Sequence, residues 1–136
     1  MRLVLRAGLA LLAASELVLG VWAQFAPESF YRDFPTVQLT PPYSEHFLRD
    51  FGGATLGLAV LLGAAAWWLE KRLARIALVA YLAWAVPHLV FHLGHLHDAS
   101  VADITFLVIS LGGTVLLPCV LLAIAPRTFR AVPEAE

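Results

Sequence analysis

Four of the five histidines of this chain fall in one segment, Pro87-His88-Leu-Val-Phe-His92-Leu-Gly-His95-Leu-His97. On an α-helix His88, His92 and His95 are spaced four and three residues apart and stack on one face. His97 points about 180° from His88, at about 100° per residue, and belongs to the helix end. The fifth, His46, lies four residues before Asp50 in Glu45-His46-Phe-Leu-Arg49-Asp50, so these two also share a face. Neutral imidazole and carboxylate are ligands that zinc, copper and iron all accept. Pairs at such spacings on neighbouring helices are one way to build a metal site inside a bundle.

His46, Asp50, His92 and His95 would give three nitrogens and one oxygen to a transition metal, with His88 and Glu16 beneath. A haem held between His46 and either His88 or His92 is a second possibility, because an apolar bundle can enclose the macrocycle. A proton relay through histidines and carboxylates is a third. A purely structural hydrogen-bond network would use the same residues. Arg49 and Asp50 could also simply neutralise each other.

The elements that must position these groups are set by composition. The chain has 136 residues, 60% of them hydrophobic and only 14% charged, with a net charge of −1 and one cysteine. Its mean hydropathy is +0.79. One small domain cannot hide that much apolar surface from water, so lipid must cover it. A soluble enzyme domain, a disordered tail and a disulfide-stapled module are excluded, and no basic field points to nucleic acid.

Four apolar runs are long enough for a bilayer: residues 7–26, 47–69, 76–96 and 104–125. They do not alternate polar with apolar, which excludes transmembrane β-strands. The expected fold is therefore an all-α bundle of four transmembrane helices forming a single membrane domain. Arg2, Arg6, Lys71, Arg72, Arg75, Arg127 and Arg130 sort to one side of it. By the positive-inside rule both termini are cytoplasmic, in a multi-pass protein of the plasma membrane. The outer loop, 27–46, and the short connection after His95 then face outward, which brings both histidine-bearing elements to one leaflet.

Depth follows from a rise of about 1.5 Å per residue: His92 lies about 4–5 Å below His95, and His88 about 10 Å below it. Glu16 falls near the level of His88. An unpartnered carboxylate there costs roughly 2.5–3.5 kcal/mol on insertion scales, so Glu16 should face the interior, with His88 as its expected partner.

Helix-end chemistry agrees with these borders. Ser44, after Pro41-Pro42, is an expected N-cap with Glu45 in the first turn, and Ser100-Val-Ala-Asp103 has capping-box spacing. Pro87 and Pro118 should kink their helices. Gly53, Gly57, Gly63, Gly112 and Gly113 are expected to permit close helix packing. Glu28–Phe34 reads as an interfacial aromatic segment anchored at the membrane surface, with capping of the outward mouth as the alternative. Trp67-Trp68 read as the inner aromatic belt, Tyr81 and Trp84 as packing, Cys119 as a small buried hydrophobe, and His97-Asp98 as a solvated helix end. The first run resembles a cleavable signal sequence ending at Ala23, but Glu16 interrupts it, and retention as a helix is expected.

Three stretches carry a resemblance: Phe30-Tyr-Arg-Asp-Phe-Pro35, Pro42-Tyr-Ser-Glu-His46-Phe-Leu-Arg49-Asp50 and Pro87-His88-Leu-Val-Phe-His92-Leu-Gly-His95-Leu. The chain resembles small four-helix membrane proteins of actinobacterial type and, more distantly and by shape alone, DoxX-type proteins. The first likeness implies fold and location; the second hints at redox association. The motifs of phosphate loops, nucleophile elbows and zinc hydrolases are missing, so no local motif supports catalysis. The functional expectation is a transition metal (zinc, copper or iron) or haem site for metal handling or membrane-linked redox chemistry. The alternatives are an accessory subunit of a larger membrane complex, and proton or small-solute transport, which would need a homo-oligomer.

Overall fold

The computed structural model describes residues 1–39, 42–97 and 99–129, less the side chains of Arg127 and Thr128. Pro41, Asp98 and Arg130 lie outside the described residues. The elements are α1 (Arg2–Phe25), α2 (Pro27–Asp33), a 3-10 turn (Val37–Leu39), α3 (Glu45–Trp68), α4 (Lys71–Leu93) and α5 (Val101–Thr128). The fold is all-helical, with no strand among the described residues. The four long helices are each long and apolar enough to cross a bilayer, which suits a lipid environment.

The helices begin several residues before the apolar runs, because exposed charged residues such as Arg2, Lys71 and Arg72 are good helix formers and continue the turn into the flanks. Caps fix the other borders. Ser44 Oγ accepts the Phe47 N–H at 3.4 Å. Ser100 and Asp103 complete a reciprocal capping box, Asp103 N–H to Ser100 Oγ at 3.2 Å and Ser100 N–H to Asp103 Oδ2 at 3.0 Å. Pro126 lies inside α5 rather than ending it. A left-handed residue, Leu69 at φ 52°, turns the chain between α3 and α4 while its side chain stays buried.

α1 packs most extensively on α3 and α4 on α5, and the two pairs meet over smaller areas. The antiparallel α1–α3 contact is set by Gly20 and Gly52. A β-carbon on Gly52 would lie 2.6 Å from the Gln24 nitrogen, and one on Gly20 would lie 3.0 Å from the Leu56 nitrogen. These are not the glycines expected from sequence. Gly57, Gly112 and Gly113 face open space, and Gly53 and Gly63 make only ordinary contacts. Spacing identified small residues; only the crossing decides which of them lie in it.

One end of the bundle is filled by Leu5, Leu9, Leu12, Leu62, Leu78 and Leu121 with interleaved alanines. At the opposite end α2 does more than anchor at a surface. Phe30 is 3% exposed and packs with Ala23 and Leu48. Its ring meets Trp22 edge-on at 5.5 Å and Phe34 in a stack at 5.1 Å. The helix is moored by the Trp22 indole N–H donating to Ser29 Oγ, which donates in turn to Asp33 Oδ2. The Arg32 guanidinium, 2.8 Å from Asp33, holds that carboxyl below the usual carboxylate range. α2 thus lies against this end of the bundle, with Phe30 packed between α1 and α3. Cys119 also departs from expectation, since it is exposed on the outside of α5, whereas the neighbouring Pro118 is buried.

Two outcomes follow for unfolding monitored in detergent. Gly52→Val should destabilise the bundle by about 1–3 kcal/mol through overpacking, while Gly57→Ala stays within about 0.5 kcal/mol of the parent. Phe30→Ala should cost about 3–5 kcal/mol and shift the Trp22 emission.

Candidate functional site

Between the filled end and α2 the bundle is hollow. A cavity of about 600 Å³ lies where the two helix pairs diverge, roofed by Phe30, Tyr31 and Phe34. Its walls come from α3 (Phe47, Phe51, Ala54), α4 (Trp84, His88, His92) and α5 (Phe106, Leu107, Leu111), and Glu16 of α1 closes the floor. A pocket of this size, mainly apolar and carrying a few converging polar groups, is the usual form of a small-molecule site.

The six residues singled out from the sequence are distributed as follows. His88 and His92 both line the cavity, their rings 4.6 Å apart and nearly perpendicular. His88 is stacked on Trp84 at 4.9 Å, with Phe51 6.4 Å from His88 and 6.1 Å from Trp84. His95 does not join them. α4 ends at Leu93, before Gly94, so His95 leaves the helical face its spacing implied. It stacks on Phe91 at 4.1 Å, with Nδ1 2.7 Å from the Phe91 carbonyl oxygen. His46 and Asp50 form a pair at 3.4 Å, but the His46 side chain is 88% exposed. Only Asp50 of the two reaches the cavity, at its rim. Arg49 is turned from Asp50 to Glu45, 2.9 Å away, and to the Gln24 carbonyl oxygen. Among the described residues no three histidine, cysteine or acidic side chains gather in a way that could hold a metal ion.

Glu16 is 1% exposed, as its depth required. The group facing it is the Tyr81 hydroxyl of α4, in place of the expected His88, with Thr114 of α5 flanking that hydroxyl. Glu16 Oε2, Tyr81 Oη and Thr55 Oγ1 are all buried, and none of them closes a hydrogen bond of full geometry, although the Tyr81 hydroxyl is directed at Glu16. Such orphans are rare, because each forfeits its hydration without replacement. Glu16 and Tyr81, which face each other, mark a polar locus in an otherwise apolar interior.

Tyr81 packs in the core as expected and bears on the site through Glu16, while Trp84, packed against that core, also lines the cavity. A signal for them was present in the sequence: positions 81, 84, 88 and 92 succeed one another at steps of three and four, one continuous helical stripe. Thr55 and Thr114 had none, since single hydroxyls in apolar helices are ordinary.

No curated protein and no solved structure matches the chain. Residues 4–90 match a family described as a domain of unknown function, DUF4345. The matched span contains Glu16, His46, Asp50, Tyr81 and His88, and ends before His92, His95 and all of α5. By that match over most of its length, the chain belongs to the DUF4345 family.

Proposed function

We propose that this protein binds a lipid-soluble, ring-bearing small molecule in the cavity beneath α2, with His88 and His92 as the polar groups at its side. The observation that carries this is the lining: a space of about 600 Å³ walled mainly by aromatic and aliphatic side chains and edged by two adjoining imidazoles. Flat apolar rings pack against aromatic faces edge-on or offset. The geometry supports such a molecule better than a bare transition metal, which has no need of apolar walls and would need His46 and His95 drawn in from where they stand. Haem is the metal-bearing member of the class, and His88 or His92 would hold its iron. Membrane-linked redox chemistry is the use this supports, in keeping with the distant likeness in shape to DoxX-type proteins and the nearer one to small actinobacterial membrane proteins.

The cavity mouth faces the outside of the plasma membrane in this reading. Arg2, Arg6, Lys71, Arg72 and Arg75 cluster at the opposite end of the bundle, and the positive-inside rule places that end in the cytoplasm. A molecule partitioned in the outer leaflet would then enter beneath α2.

Organic extraction of the purified protein should recover a lipophilic ring compound near one per chain. A Soret band lost in His88→Leu or His92→Leu would identify it as haem. Ala54→Trp, which fills the cavity without touching its polar groups, should abolish retention. Extracts free of any such compound, from cells grown with haem precursors, would overturn the reading. In a Cys119→Ala background, Ser44→Cys should react with an impermeant maleimide added outside intact cells; reaction only after lysis would reverse the orientation.

A further inference from the structure

Resting on the cavity reading above, we infer that the ligand carries a cationic nitrogen, seated at the cavity floor against Glu16. Three features of the cavity converge on that chemistry. The first is charge: among the described residues the lining includes two carboxyl groups, Glu16 at the floor and Asp50 at the rim, and no lysine or arginine. An acidic group seated at the floor would find no fixed positive charge beside Glu16, and a neutral one would leave the carboxyl unanswered.

The second is the unmet hydrogen-bonding capacity. Glu16 is buried and lines the cavity, and the Tyr81 hydroxyl faces it without closing a full hydrogen bond to Oε2, so the carboxyl keeps acceptor capacity to spare. A buried carboxyl at bilayer depth is costly until it is partnered. An ammonium group supplies donors and opposite charge at once; a hydroxyl or carbonyl supplies at most one of these. The third is the wall. Phe51 and Trp84 present aromatic rings beside the floor, and the negative faces of such rings attract organic cations. His88, stacked on Trp84 and 6.4 Å from Phe51, extends the same surface. An acidic floor, an aromatic wall and a lining free of lysine and arginine together describe a receptor for a lipophilic amine, whose binding would bring the opposite charge to Glu16.

The inference separates cleanly from the reading on which it rests when two isosteric probes are compared. These are 9-(aminomethyl)anthracene, protonated at neutral pH, and 9-ethylanthracene, which matches it in shape without charge. Binding is read on the intact chain in detergent by tryptophan quenching. The amine should bind at least tenfold more tightly, equivalent to about 1.4 kcal/mol. Glu16→Gln should bring the two probes to equal affinity, because a site built around a buried polar group rejects the analogue that leaves it unpaired. In the unmodified protein dicyclohexylcarbodiimide should label Glu16, and the amine alone should protect it; this decides the matter if the Gln variant fails to fold. Equal affinity of the two probes, a preference that survives Glu16→Gln, or equal protection by both would overturn the cationic ligand and leave the cavity reading intact. Binding of neither probe would overturn both.

Discussion

The contact between α1 and α3 at Gly20 and Gly52 is the constraint on which the remaining architecture hangs. Two helices can approach until backbone meets backbone only where neither carries a side chain at the crossing. Here the approach is so close that even a methyl group at Gly52 would strike the Gln24 backbone. That crossing fixes the register of α1 against α3 and so fixes the height of Glu16. It also commits α1 and α3 to one another, leaving α4 and α5 to pair separately. Where two such pairs meet over smaller areas, space remains between them, and the cavity is that space.

The hollow is kept open by its own residues. Bulky rings line it, and rings stacked on one another, as His88 on Trp84 and Phe30 on Phe34, cannot collapse inward as aliphatic chains could. The opposite end, filled by leucine and alanine, collapses to ordinary interior packing. The molecule is thus solid at one end and hollow at the other, with Glu16 and Tyr81 at the boundary. A carboxyl and a phenol placed there are costly to the apo protein, which is the ordinary price of a preformed polar locus in an apolar site.

Much of the fold was legible in the residues. Four runs of bilayer length, the Ser44 cap and the Ser100–Asp103 capping box all stand where composition and spacing put them. The site was legible in part. His88, His92 and Glu16 reach the cavity because a residue's face on a helix follows from its number. His95 fails the same rule, since the helix stops at Leu93 and the rule stops with it. His46 keeps its expected partner Asp50 but faces away from the cavity, a matter of how α3 is rotated, which spacing along one helix does not contain.

What the sequence by itself determined was what depends on distance along the chain: four apolar segments of bilayer length, the caps at Ser44 and Ser100, and which residues share a stripe while a helix lasts. What only the tertiary structure decided was everything that depends on distance across it. Gly52 instead of Gly57 makes the crossing, the Tyr81 hydroxyl instead of His88 faces Glu16, Phe30 enters the bundle, and Cys119 turns outward. The reason is physical. An apolar helix in lipid has nearly the same free energy in any rotation about its axis, so the rotation is chosen by the shapes it must fit against.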